Sequence, residues 1–438
     1  MTSIRVRIGV LGLALLAGLA APTTTATADT APSPTVEEQR LDGAVPQEIL
    51  GRSGFDATAG KFARTLTAAR SYAEARSVVI REGSALWRRA VDRAQGRGPA
   101  GYEGREALPW KGGGGRRAGL SRDDDRPLYW ARLGMTREVR TWEPEFGLTD
   151  RQRAALLDEL ERTSRGQTAV IPHSRLRSSG GTPIPQGKGL KRILVTGFDP
   201  FTLDRDIRIS NPSGATALAL DGTVIETADG PARIETAVFP VRWRDFTDGT
   251  VERTLRPHLE KVDLFMTVSQ GRVGRFDIER TNGAWRGGFG DNDNVGRTET
   301  IPVTDPASQP QWTTTTLPYR AIVAADTGRF PVYDNTSVTE IPAGGTEPVV
   351  RPEGPTPCST ARAGGGGDYL SNEIAYRATL LRDRLGLHDV LPGGHVHTPV
   401  LQFGAGNTTE VTDPEFVRNR LDIIAQVRTI LRVAAEES

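Results

Sequence analysis

The chain has 438 residues, with 55 Lys and Arg against 54 Asp and Glu, and a single cysteine, Cys358. The net charge of +1 gives no reason to expect nucleic acid or an anionic membrane as partner. One cysteine excludes an intramolecular disulfide framework and a Cys-rich zinc site, and the length is enough for two domains.

Residues 1–28 read as a secretory signal. Arg5 and Arg7 give a positive start, Ile8 to Ala21 a short apolar run, and Ala26-Thr27-Ala28 a small-x-small cleavage site. The run is too short for a comfortable membrane span, so an exported protein with no membrane association after cleavage is expected. Residues 29–40 are polar and expected to be disordered. Apolar spacing predicts helix from about Thr58 to Ala94, through Phe62, Leu66, Leu86 and Trp87. Residues 95–125, Gly-rich and ending in Asp123-Asp124-Asp125, read as a long exposed loop. Residues 127–165 are partly helical, with Thr149 or Asp150 as N-cap of the second piece. The stretch 29–165 is thus a small helical region, with Trp87, Trp110, Trp130 and Trp142 as core anchors and no evident chemistry. Residues 166–190, rich in Ser, Gly and Pro, form a linker.

From residue 191 to 438 the pattern changes to α/β. Arg192 to Thr196, about Ile234 to Val241, and Val262 to Val268 read as strands. Asp245 to Leu259, Leu317 to Ala325, Ser371 to Leu385 and Pro414 to Ala435 read as helices. This alternation predicts a three-layer α/β/α domain with a mostly parallel or mixed sheet, whose functional loops lie at the carboxyl ends of strands. Residues 326–365, rich in Pro, Gly and Thr, read as a long insertion, placed to cover or reshape the cleft.

The chemistry-bearing stretches lie in this half. Gly364 to Gly367 lead through Asp368-Tyr369-Leu370 to Ser371 at a helix start. Their N–H groups can converge on a developing oxyanion beside a nucleophilic serine; the alternative is a flexible loop followed by a capping Asp368 or Ser371. Gly197-Phe198-Asp199-Pro200-Phe201, just past a strand, can make an apolar wall for a small ligand or simply pack. Glu279-Arg280 reads as an exposed ion pair. His395 and His397, at alternate positions, share one face. No carboxylate or third histidine stands near them in sequence, so no metal is expected. Neither the glycine run nor Gly197-Phe198-Asp199 fits a nucleotide fingerprint, so no cofactor is expected. Asp291 to Asn294 lacks the spacing of a calcium loop.

Taken in order, these pieces resemble the pyroglutamyl peptidase I (pyrrolidone-carboxylate peptidase) family over about residues 191–410. The matching stretches are Val195 to Phe201 with Asn211-Pro212-Ser213, Phe239-Pro240-Val241, Ile278-Glu279-Arg280, Asp291 to Gly296, Thr316 to Val323, Gly367 to Asn372, and Val396-His397-Thr398-Pro399. Members of the family remove N-terminal pyroglutamate with a Cys-His-Glu constellation and no cofactor. The resemblance implies Ser371 in the nucleophile's position, His397 as general base, and Glu279 as the acid beside it. Phe198, Phe201, Gln270 and Tyr369 fall in the substrate-binding positions, and the partner implied is a peptide with a blocked N-terminus.

This sequence departs from the family's pattern at the nucleophile. An alcohol is far less acidic than a thiol and depends wholly on a base taking its proton. Asp368 also brings an acid beside the site. Three readings follow: an exported pyroglutamyl-type peptidase, a non-catalytic relative that binds pyroglutamyl or related peptide ends, and a hydrolase of another amide or ester on the same scaffold.

Overall fold

A computed structural model describes residues 33–97, 119–168 and 189–437. The signal-like segment, most of the loop after Ala94 with Trp110, and most of the linker lie outside the described residues. The helical half comprises α1 (Val36–Gln39), α2 (Ala44–Ser53), α3 (Thr58–Thr67), α4 (Tyr72–Ala94), α5 (Arg126–Thr141) and α6 (Asp150–Thr163). The helix expected over 58–94 is two helices, because Ser71 caps a new start by accepting from the Glu74 N–H. At α6 Thr149, not Asp150, is the cap, in a capping box with Gln152. Trp87 and Trp130 are buried core anchors, while Trp142 is only partly buried.

The second half runs β1 (Lys191–Phe198), α7 (Pro212–Leu220), β2 (Val224–Thr227), β3 (Gly230–Phe239), α8 (Trp243–Thr247), α9 (Thr250–Leu259), β4 (Leu264–Gln270) and β5 (Phe276–Glu279). Short pairings follow: β6 (Thr281–Gly283), β7 (Trp285–Arg286), β8 (Glu299–Thr300) and β9 (Trp312–Thr314). The chain continues through α10 (Tyr319–Ala324), β10 (Val332–Asn335), β11 (Val338–Ile341), β12 (Val349–Arg351), β13 (Thr360–Ala363), α11 (Leu370–Arg384), β14 (Gly393–Thr398) and α12 (Pro414–Glu436). The single helix expected over 245–259 is broken by Gly249, whose φ of 76° is left-handed.

The main sheet has the order β10-β5-β14-β4-β1-β3-β2. Its centre is parallel, and β14 meets β5 antiparallel, so the sheet is mixed. Successive β1 residues face opposite layers: Ile193 and Val195 pack with α12, whereas Leu194 and Phe198 pack with α9 and α11. This is the expected α/β/α sandwich. Of the stretch 326–365 only Gly365 lines the cleft. Val332–Asn335 becomes an edge strand of the main sheet, paired with β5, and β11 to β13 form a separate three-stranded sheet.

Two expectations about polar segments are overturned. Glu37 and Glu38, in the stretch expected to be disordered, are buried in α1. Asp123, Asp124 and Asp125, expected in an exposed loop, are buried as well. The reason is pairing. Glu37 meets Arg242 at 3.0 Å and accepts from Tyr129 Oη at 2.8 Å. Asp124 grips Arg126, and Asp125 accepts from the Ser210 hydroxyl and the Asn211 N–H. Buried charge is tolerable only when so satisfied. The core of the helical half is continuous with Leu203, Ala217, Leu218 and Val238 of the α/β half.

Candidate active site

A cleft of about 950 Å³ opens where β1, β4 and β14 end. It brings together Phe198, Phe201, Gln270, Tyr369, Ser371 and His397 from segments far apart in sequence. Glu279 is not on its surface; it stands behind His397, fully buried.

Strand pairing creates that arrangement. His397 on β14 lies opposite Ser269 of β4 and Asp277 of β5. Glu279, two residues along β5 on the same face as Asp277, places Oε1 2.7 Å from His397 Nδ1. Its Oε2 accepts from Asn335 Nδ2 at 2.6 Å, and Asn335 also donates to the Gly365 carbonyl at 2.9 Å. Both carboxylate oxygens are therefore used, which a buried carboxylate requires. The exposed ion pair expected of Glu279 and Arg280 does not form: Arg280 meets Asp334 instead, at 3.1 Å. Among the described residues only Nδ1 of His397 is engaged, which leaves Nε2 for the cleft.

His395 does share a face with His397, their rings edge-on with centroids 4.6 Å apart. Its Nδ1 and Nε2 each lie 2.8 Å from a hydroxyl, of Thr267 and Ser269 respectively. Burial, with His397 beside it, holds the His395 imidazole well below the ordinary histidine range. Its two nitrogens are occupied, so the pair offers no shared metal chelate. Among the described residues no three His, Cys, Asp or Glu side chains gather to hold a metal.

The glycine run has a different role from the one its sequence suggests. The N–H groups of Gly364, Gly365 and Gly367 are spent on the Gly367, Thr281 and Gly364 carbonyls, so they do not converge on a ligand. What the run permits is close approach. A Cβ on Gly365 would stand 2.2 Å from Glu279 Oε2, and one on Gly366 would stand 2.8 Å from His397 Cε1. The loop backbone thus lies directly on the Glu279–His397 pair. Gly367 then turns the chain at a φ of 85° into α11.

Ser371 is the second residue of α11, and neither it nor Asp368 caps the helix. The N-cap is Tyr369, which makes no side-chain capping bond, so the first-turn amides keep no side-chain acceptor from it. The Ser371 hydroxyl faces the cleft and donates to the Gly366 carbonyl at 3.1 Å. Asn372, buried next to it, locks the helix start to β6 and β7 through the Gly283 N–H and the Gly283 and Trp285 carbonyls. Asp368 lies against Gly287 and Gly288, and burial pushes its carboxyl up from the ordinary range. Cys358 is exposed on a turn before β13 and does not line the cleft.

The apolar wall is larger than expected. Phe198 is mostly core, stacked on Phe246 at 6.1 Å. At the mouth Phe201, Phe289 and Tyr369 stack on one another at 6.2, 4.2 and 6.2 Å. Phe289 was missed; its only signal is an aromatic set among Gly287, Gly288 and Gly290. Asn335 was missed too, and nothing near it in sequence marks it, because its partner Glu279 lies 56 positions away. Gln270 lines the cleft and accepts from the Leu401 N–H at 3.2 Å.

The chain matches two described families: the PA0049 N-terminal domain over residues 19–161 and the PA0049 C-terminal domain over residues 192–305 and 329–402. It is similar to the uncharacterized protein PA0049 of Pseudomonas aeruginosa, 34% identical over 511 aligned positions that cover 90% of this chain and 88% of the relative. Among solved structures it is similar to a mutant pyrrolidone carboxyl peptidase from Pyrococcus furiosus, at 24% identity and a TM-score of 0.38, over 56% of this chain and 99% of that one. It is also similar to pyroglutamyl peptidase I of Bacillus amyloliquefaciens, at 22% identity and a TM-score of 0.38, over 57% and 98%.

Proposed function

The chain belongs to the PA0049 family, and from that premise we propose that it is a hydrolase that removes N-terminal pyroglutamate from peptides, with Ser371 as nucleophile, His397 as base and Glu279 as orienting acid. The observation that carries the reading is the buried Glu279–His397 hydrogen bond, 2.7 Å, set in the same aromatic-walled cleft as an uncapped helix start bearing Ser371. The pyrrolidone ring is flat and uncharged, so it suits the Phe201 and Tyr369 faces. The signal-like first 28 residues direct this activity out of the cytoplasm on the same reading.

In the reaction, His397 Nε2 takes the Ser371 proton as Oγ attacks the pyroglutamyl carbonyl carbon. Glu279 accepts from Nδ1–H, fixes the tautomer and stabilises the imidazolium. The oxyanion is met by first-turn amides of α11, at the positive end of the helix dipole. His397 returns the proton to the leaving amine as the C–N bond breaks, leaving an ester on Ser371. Water, deprotonated by His397, then attacks that ester and frees pyroglutamate.

A second reading, a non-catalytic binder of pyroglutamyl ends, is favoured by one observation: Ser371 donates to the Gly366 carbonyl rather than to His397. Release of a chromophore from a pyroglutamyl amide by residues 29–438 separates the two. The peptidase reading expects turnover that disappears in Ser371→Ala. Turnover that is absent in the native protein and gained in Ser371→Cys establishes the binder instead. Turnover of simple esters but not of the amide moves the activity to another substrate class.

A further inference from the structure

The helical half touches the cleft's first loop along its whole length. That loop, residues 199–211, follows β1 and carries Phe201. Arg132 of α5 and Arg165 just past α6 both bind Asp199, Arg165 with Nη2 at 2.8 Å. All three side chains are buried. Asp199 is in turn locked to the far end of the loop, because its carbonyl accepts from Asn211 Nδ2 at 2.9 Å. Asp125 holds that end by accepting from the Asn211 N–H at 3.0 Å, and Arg126 holds the Arg208 carbonyl at 2.6 Å. Between them, Asn292 bonds both the Pro200 carbonyl, at 2.9 Å, and Glu37 of α1, at 3.1 Å.

Such a clamp is more than adhesion between two halves. A flat apolar contact would let the loop slide, whereas a buried carboxylate held by two guanidinium groups has few alternative positions of comparable energy. The residue held is the neighbour of Phe198 and lies two positions before Phe201, so any shift of Asp199 moves the cleft wall directly. The long polar stretch ahead of the α/β half therefore bears on specificity, although none of its described residues lines the cleft.

We propose that Arg132 and Arg165 are positioning residues which act through Asp199 to set the Phe198–Phe201 wall, so that the helical half is a working part of the site. The kinetic arm of the test rests on the peptidase reading; the exchange arm does not. In the full-length protein, Arg132→Met is compared with Arg132→Lys by hydrogen exchange and by pyroglutamyl-amide kinetics. The amides of Asp199, Arg205 and Asp206, each bonded within or beside the loop, exchange about tenfold faster in Arg132→Met while those of α11 and β14 do not change. KM rises about tenfold with kcat within about twofold, and Arg132→Lys recovers part of both effects.

Unchanged loop exchange, or equal acceleration in α11 and β14, overturns the proposal. If Arg132→Met does not fold, the apolar triple Arg132→Met, Arg165→Met, Asp199→Leu replaces it, since such replacements of buried ion clusters preserve stability. Fast exchange confined to the loop in that protein supports the clamp, and native protection overturns it. A native protein without turnover sinks the peptidase reading alone, and loop exchange still decides the clamp.

Discussion

Two loops face each other across the cleft, and they are held by opposite means. The Gly364–Tyr369 loop has almost no side chains where it matters. It is fixed mainly by backbone bonds, within the loop and to Thr281 and Gly287, and rests on Glu279 and His397 because no Cβ intervenes. The Phe198–Asn211 loop is held by side chains, most of them charged, contributed by a different half of the molecule. The first is a local device that a single methyl group can spoil. The second is a long-range one that fails only when a buried charge loses its partner.

The comparison can be broken from either side. The largest effect is expected at the dyad beneath the glycine loop. Glu279→Gln keeps the shape but replaces the carboxylate that meets His397 Nδ1, and on the peptidase reading turnover should fall about 10⁴-fold with little change in stability. A fall of less than tenfold in steady-state kinetics rejects Glu279 as the orienting acid. Next comes the charged side. Glu37→Ala leaves Arg242 buried with only Asp245 and Glu161 as ionic partners, and chemical denaturation should show a loss of about 3–5 kcal/mol. A loss under about 1 kcal/mol, the range of exposed pairs, contradicts a buried interface there.

Gly365→Ala sharpens the contrast, because its Cβ would stand 2.2 Å from Glu279 Oε2. Activity should drop about 10²-fold through misplacement of the pair. Unaltered kinetics in a folded Gly365→Ala protein shows that the loop does not rest on the dyad as described.

A pH effect follows from the clamp side. Burial first, then the nearby Asp124 charge, pushes Asp125 up to about 6 from an ordinary 3.8. The folded state therefore holds this proton more tightly than the unfolded one. The stability it contributes is present below about pH 4 and is lost as pH rises through 6, on the order of 3 kcal/mol. Asp124 titrates in the other direction: although buried, it is held well below the ordinary range by Arg126 and Arg420, so it acts only at lower pH. Denaturant midpoints at pH 4.5 and 7 should differ less in Asp125→Asn than in the native protein; an identical difference removes Asp125 from the account. The smallest effect is at the mouth. Phe289 is 49% exposed, so Phe289→Ala should raise KM a few-fold and alter stability by no more than about 0.5 kcal/mol. No change in KM takes it out of the wall.

Much of the α/β frame could be read from periodicity. β1, β3 and β4 are short apolar runs, and α11 and α12 carry clear helical spacing. These elements bury their own hydrophobic faces, so their pattern is local. β5 and β10 could not be read this way. Phe276–Glu279 is too short and too charged to look like a strand, and Val332–Asn335 sits in a Pro- and Gly-rich stretch. Both become strands because the sheet edge supplies partners. The same holds for the acids at 37 and 125, where polarity argued for solvent and pairing across more than eighty positions placed them inside.

The sequence by itself determined the α/β alternation, the serine at a helix start after four glycines, and the order of motifs that includes Glu279 and His397. Only the tertiary structure decided that the glycines serve contact with the dyad rather than an array of N–H donors, that Asn335 completes the carboxylate's bonding, and that the helical half grips the opposite wall. The physical reason is range. Propensity and periodicity act over a few residues, whereas hydrogen bonds to a buried carboxylate are made by whatever the fold brings within 3 Å.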